Sequence, residues 1–286
     1  MTAQARPSAE PSDEAVLRAG WLAFFGSLAP GSRLLDIAEA GRLVAPLAQQ
    51  WRQQARVPVE IHLQVGPDAA IPGLPPDIVL HRRHFDEARA GAGFDALTGH
   101  ALVGPRDGAR WPMLAALLAP RAELQLFIPA QASADVQEAN AIVAEAGTLE
   151  RTGALRATRA FLELPAHDPV AIRHVAVETR DAVAALRAAA TTQGLLAHAL
   201  SRIVALLQAR QAGPDPGLRS ALDTLAEGIE RTVAMAEVLR ARAAVEADIA
   251  PMLSAMREAG LTMVEHLHVH ATGGAVMGWW MLGHKP

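Results

Sequence analysis

An α/β fold built on a mostly parallel sheet follows from three features of this 286-residue chain. Short apolar runs recur as far as Pro129 with helical or turn-rich material between them, which is the rhythm of strand, crossover helix and strand. The rhythm then gives way to long Ala-rich stretches whose apolar residues stand three and four apart, as on one face of a helix. The chain closes on two alternating runs around Gly273-Gly274, a hairpin that adds an antiparallel strand.

Each element has a local reason. Residues 1–12 carry Pro7, Pro11, Ser8 and Ser12 with few apolar positions and read as a flexible tail. Val16, Leu17, Trp21, Phe24 and Phe25 then follow helical spacing from Asp13 until Pro30-Gly31 breaks it. Arg33–Ala38 is a first strand, followed by a helix from Gly41 to Ala55. Val57–Val65, Asp77–His81, Phe94–Leu102 and Ala122–Ile128 are four further strands. Asp181–Gln211 and Leu218–Leu239 each show one apolar stripe and form a helical hairpin turning at Pro214–Gly217. Ala157–Leu164 is compatible with another strand, but the insertion reading is preferred, because the last residues look like the end of the same sheet. Ile249–Ala259 is a helix stopped by Gly260. Thr262–His270 and Met277–His284 are the closing strands. The organisation expected is a core of residues 13–130 and 248–286 interrupted by a helical insertion, 131–247.

Composition removes whole classes of chemistry. Without cysteine there is no disulfide, thiolate nucleophile or zinc–thiolate site. The one lysine, Lys285, stands next to the last residue, which suits neither a Schiff base nor a phosphate-binding loop. A net charge of −4 and a pI near 6.3 lack the positive field that nucleic acid demands. There is no run of 18 apolar residues, and the N-terminus is polar. A soluble, cytoplasmic protein with no integral membrane segment is expected.

Pro30-Gly31-Ser32-Arg33-Leu34-Leu35-Asp36-Ile37, after an N-terminal helix, resembles the entry to the first strand of the class I S-adenosylmethionine-dependent methyltransferases. Phe94-Asp95-Ala96-Leu97 looks like the start of their fourth strand. Leu117-Leu118-Ala119-Pro120 with Leu124–Ile128 looks like the helix and strand that follow. Met256-Arg257-Glu258-Ala259-Gly260-Leu261 and Gly278–Pro286 look like the last helix and final hairpin strand. The resemblance implies a Rossmann-like methyltransferase sheet and S-adenosylmethionine as cofactor. It also implies methyl transfer to a small apolar molecule, with the insertion as a lid or a surface for a protein partner or second copy. The alternative is a catalytically inactive member of the fold that binds or scaffolds.

The resemblance places the cofactor on Asp36, Ala38, Ala40, Gly41, Gln64, Phe85 and Asp86. The turn Asp36-Ile37-Ala38-Glu39-Ala40-Gly41-Arg42 occupies the glycine-rich position, with alanines for the first two glycines and Arg42 for the third. At φ > 0 an alanine there would be strained by roughly 1–2 kcal/mol. Gln64 stands where the family presents an acid to the ribose, and Asp86 matches its acid near the adenine with Phe85 beside it. Asp36 reads equally as a buried acid capping nearby amides. His100, at the carboxyl end of the fourth strand, is the residue placed to act as a catalytic base.

Other groupings give less. His266, His268 and His270 share one face of a strand, but neighbours lie roughly 7 Å apart at Cα and the outer pair about 13 Å, so no metal is assigned. Trp279-Trp280 should place one indole in the core and the other against the helical insertion. Gly91-Ala92-Gly93 lacks the strand before it and the helix after it that a dinucleotide fingerprint needs.

Overall fold

The computed structural model describes residues 12–39, 43–67, 69, 71, 73–84, 93–164, 169–213, 215 and 217–286. Apart from Ser12, the expected tail lies outside them. The chain divides into two compact units: one runs to Gln137 and resumes at Leu239–Pro286, the other is Glu138–Val238.

The first unit opens with α1 (Asp13–Ser27), whose start is set by Ser12: its Oγ accepts the Ala15 amide at 3.3 Å, and Asp13 and Glu14 face the positive end of the helix dipole. Then come β1 (Arg33–Ala38), α2 (Ala45–Ala55), β2 (Glu60–Val65), β3 (Ile78–Arg82), β4 (Phe94–His100), α3 (Arg110–Leu117) and β5 (Leu118–Pro129). After the second unit, α9 (Glu246–Glu258), β6 (Thr262–His270) and β7 (Val276–His284) complete it. The seven strands lie in the order β3-β2-β1-β4-β5-β7-β6. β1 to β5 are parallel, and β7 runs antiparallel between β5 and β6. This is a Rossmann-like sheet whose order reverses direction between β1 and β4, the switch point where open α/β sheets bind ligands.

Both faces are covered. Leu35, Ile37, Leu97 and Met281 pack beneath α3 and α9 through Trp111, Leu114, Met252 and Met256. Leu34, Ile61, Leu63 and Phe127 pack beneath α1 and α2 through Trp21, Phe25 and Ala48. Period-two alternation sends successive residues of each strand to opposite cores, so nearly every position of β1 and β2 is buried. Each fully buried Leu or Phe contributes about 1.5–3 kcal/mol by leaving water.

Several boundaries differ from expectation. β2 begins at Glu60 rather than Val57, and β4 ends at His100 rather than Leu102. β5 begins four residues early, because Leu118 pairs with Phe94 before an irregularity carrying Arg121 at φ 67 brings Glu123 opposite Ala96. Trp279 and Trp280 are both buried within this one unit, on opposite faces of β7, rather than one lying against the insertion. Trp280 meets Trp21 edge-on at 4.5 Å and Phe127 at 5.1 Å.

The second unit is helical. It holds most of α4 (Ala134–Thr152), then α5 (Ala154–Glu163), α6 (Pro169–Ala189), α7 (Leu195–Ala212) and most of α8 (Gly217–Arg242). Of residues 157–164, compatible with a strand by sequence, 157–163 belong to α5 and Leu164 is its extended C-cap; the inward positions Ala154, Leu155, Thr158 and Leu162 keep helical spacing. The expected single helix 181–211 is two. Gly194 breaks it at φ 104, a conformation open to glycine, and a Cβ there would stand 2.7 Å from the Glu145 carboxylate. That carboxylate accepts the Leu196 amide at 2.9 Å and so caps α7 from outside. No helix among the described residues is long and apolar enough to cross a membrane.

Candidate functional site

The carboxyl ends of β1, β2 and β4 gather the residues picked out by sequence. Asp36, on β1, is fully buried. α2 has no side-chain cap of its own, and Asp36 Oδ2 supplies one by accepting the Val44 and Ala45 amides, both at 2.8 Å. The other oxygen accepts from Thr98 Oγ1 on β4 at 3.2 Å. Burial pushes its pKa up to about 7, against the downward pull of the two amides and the threonine. Both carboxylate oxygens are therefore engaged in holding β1, α2 and β4 together at the switch point.

Gln64 is the last residue but one of β2 and pairs with Ile37 of β1. Its Nε2 donates to the His84 carbonyl at 3.3 Å, while its Oε1 is buried and has no hydrogen-bond partner among the described residues. An orphaned acceptor in the interior costs about 1–3 kcal/mol, so this oxygen suits a hydroxyl arriving from a ligand. Ala38 lies in the cluster beneath α1 and α2, and its φ is not positive, so the strain considered for an alanine there does not arise. Ala40, Gly41, Phe85 and Asp86 lie outside the described residues, as does Arg42.

His100 ends β4, buried and stacked on Phe127 with ring centroids 5.0 Å apart. The next residue, Ala101, sits at φ 51, a left-handed conformation uncommon outside glycine and held by the hydrogen bond its N–H donates to the Phe127 carbonyl at 2.9 Å. This bend turns the Ala101 carbonyl toward Arg242, at the end of α8, which donates to it at 2.8 Å. Arg242 also pairs with Glu39, the residue directly after β1. Arg110 of α3 reaches the same Glu39 oxygen at 2.6 Å and the Leu102 carbonyl at 3.2 Å. Burial lowers the pKa of Arg242, and Glu39 pulls it back up. Gly104 makes this junction possible, since a Cβ there would lie 2.6 Å from Arg242 Cα.

Sequence reasoning did not single out Glu39, Arg110 or Arg242, because no local pattern links residues 203 positions apart. The groups it did single out are brought to one edge in the case of Asp36, Ala38, Gln64 and His100. On the neighbouring strand β3, His81 meets His62 of β2 with ring nitrogens 2.9 Å apart, and burial lowers the pKa of both.

The sequence matches no family model and no curated protein. Among solved structures the chain is similar to a possible exported protein from Bordetella parapertussis, at 13% identity and a TM-score of 0.43, covering 100% of this chain and 76% of that one. It is similar to the S-adenosylmethionine-dependent methyltransferase SibL in its apo form, at 11% identity and a TM-score of 0.44, covering 98% and 64%. A third is the Burkholderia thailandensis 1,6-didemethyltoxoflavin-N1-methyltransferase with bound 1,6-didemethyltoxoflavin and S-adenosylhomocysteine, at 12% identity and a TM-score of 0.42, covering 99% and 93%.

Proposed function

We propose that the chain binds S-adenosylmethionine over the carboxyl ends of β1, β2 and β4 and transfers its methyl group to a small apolar molecule. Fold alone would not support this, since one sheet serves many activities. The observation that carries the reading is the Gln64 oxygen: buried, without a partner among the described residues, and at the strand end where the sequence resemblance puts the ribose hydroxyls. Asp36 keeps β1, α2 and β4 in register around that edge. Bound there, the cofactor supplies an electrophilic methyl on a sulfonium, and the protein's share is to orient the acceptor and exclude water. His100, at the end of β4, is the residue assigned to take the acceptor's proton.

Calorimetric titration with S-adenosylmethionine and S-adenosylhomocysteine tests this. Affinity in the micromolar range is expected, weakened about tenfold in Gln64→Ala, the effect of losing one neutral hydrogen bond of about 1.4 kcal/mol. Gln64→Glu should bind more tightly than wild type, because a charged acceptor makes the stronger bond. Absence of heat at millimolar ligand sinks the proposal and leaves a binding or scaffolding subunit as the reading.

A further inference from the structure

The three histidines set aside on spacing alone acquire a partner in the fold. α9 and β6 are joined by a tight turn at Gly260, φ 86, and run back along each other. Thirteen helical residues rise about 20 Å, and the six steps from Thr262 to His268 span about 20 Å of strand. The first residue of the helix therefore returns to the level of His268. That residue is Glu246, and its carboxylate lies 2.9 Å from His268 Nε2. Asp248, not Glu246, accepts the Val245 amide at the helix start, which leaves the Glu246 carboxylate to the strand.

Val264, two residues before His266, packs in the cluster under α9, so period-two alternation turns His266 and His268 to the same side. Their ring centroids are 5.5 Å apart, closer than the spacing of their Cα atoms on a regular strand. One donor atom from each of Glu246, His266 and His268 lies within 4.8 Å of the other two. Among the described residues no other set of three or more metal-binding side chains converges in this way. Beneath them is Trp279, opposite His268 in the ladder. Its indole N–H is buried and has no hydrogen-bond partner among the described residues.

We propose that Glu246, His266 and His268 form a binding site for a divalent first-row metal ion of the zinc class. Two imidazole nitrogens and one carboxylate are a donor set for zinc, cobalt, nickel or ferrous iron, whereas magnesium and calcium take oxygen alone. At metal–nitrogen distances of about 2.0–2.1 Å, tetrahedral donors stand about 3.3 Å apart, so drawing together donors that lie within 4.8 Å of one another moves each by no more than about 0.9 Å. The ion replaces the His268–Glu246 hydrogen bond with two metal–ligand bonds. Glu246 and His268 have 66% and 39% of their side-chain surface exposed, which gives the ion a way in. His270 stays outside the set: its ring stacks on His268 at 5.9 Å while Nδ1 is held at 3.2 Å from the Gly274 carbonyl. The bound ion pins the edge strand β6 to α9. The site does not depend on the S-adenosylmethionine reading.

Titrating the full chain, stripped with chelator, against zinc chloride by calorimetry tests the proposal. One equivalent should bind with micromolar or tighter affinity and raise the thermal midpoint. Affinity should fall at least about tenfold in His266→Ala/His268→Ala and in Glu246→Gln, and be unchanged in His270→Ala. No binding by wild type, or undiminished binding by the double variant, overturns it. Should the double variant fail to fold, histidine modification by diethyl pyrocarbonate on wild type decides. Zinc should protect His266 and His268 and leave the exposed His174 reactive, and equal labelling with and without zinc overturns the assignment.

Discussion

Replacing Asp36 by Asn removes one ionisation from the middle of the first unit while keeping an oxygen that can accept the Val44 and Ala45 amides. The carboxyl is fully buried, and its pKa stands at about 7 in the folded chain against 3.8 when exposed. The folded state therefore holds a proton that the unfolded state has released between those two values. Stability must fall as pH rises through that window, at up to about 1.4 kcal/mol per pH unit. Over about three units the loss reaches roughly 4 kcal/mol; it is absent below pH 3.8 and complete above about 7. All five tryptophans, Trp21, Trp51, Trp111, Trp279 and Trp280, lie in this unit, so their fluorescence follows its unfolding alone. Urea titrations of wild type and Asp36→Asn from pH 4 to pH 8 isolate the effect in their difference, which cancels other titrating groups. Wild type should lose stability relative to the variant across the range. A flat difference, or one of opposite sign, would refute the reasoning. The helix-end amides and Thr98 would then outweigh desolvation and hold Asp36 ionised throughout.

Three further outcomes follow from packing. Gly278→Ala puts a methyl 2.7 Å from Phe127 Cζ and onto the Ile128 carbonyl, costing at least about 2 kcal/mol by overpacking; a denaturation midpoint equal to wild type would contradict it. Arg242→Ala strips the Ala101 carbonyl and Glu39 of a buried donor and should cost about 2–3 kcal/mol, whereas Arg110→Ala should cost less, since Arg242 remains on Glu39. The reverse order in urea titration would show that Arg110 is the main support. Ile203→Ala, in the core of the helical unit, should cost about 2–5 kcal/mol there. The second unit has no tryptophan, so circular dichroism must report the loss, and a transition unchanged in helical signal would argue against that core.

The strands were legible in sequence because alternation is local, and the parallel sheet with its antiparallel closing strand followed from their order. Boundaries were less so. The early start of β5 depends on Leu118 finding Phe94 on another strand, which no property of residues 118–121 announces. α5 was ambiguous between strand and helix because short apolar runs satisfy both periods; the neighbours that bury Thr158 and Leu162 decide it. Of the candidate site, Asp36, Ala38, Gln64 and His100 could be placed at strand ends from the chain alone. What Asp36 bonds to could not.

Local rules of propensity and periodicity act over a few residues, and so composition, the approximate strand positions and the turn glycines were written in the chain itself. Convergence is different in kind. Glu39 and Arg242 meet across 203 positions, and Glu246 and His268 across 22, only because the sheet order and the return of α9 along β6 bring them together. Packing of the whole unit sets those distances, and distance decides whether side chains make an ion pair, a metal site or no contact.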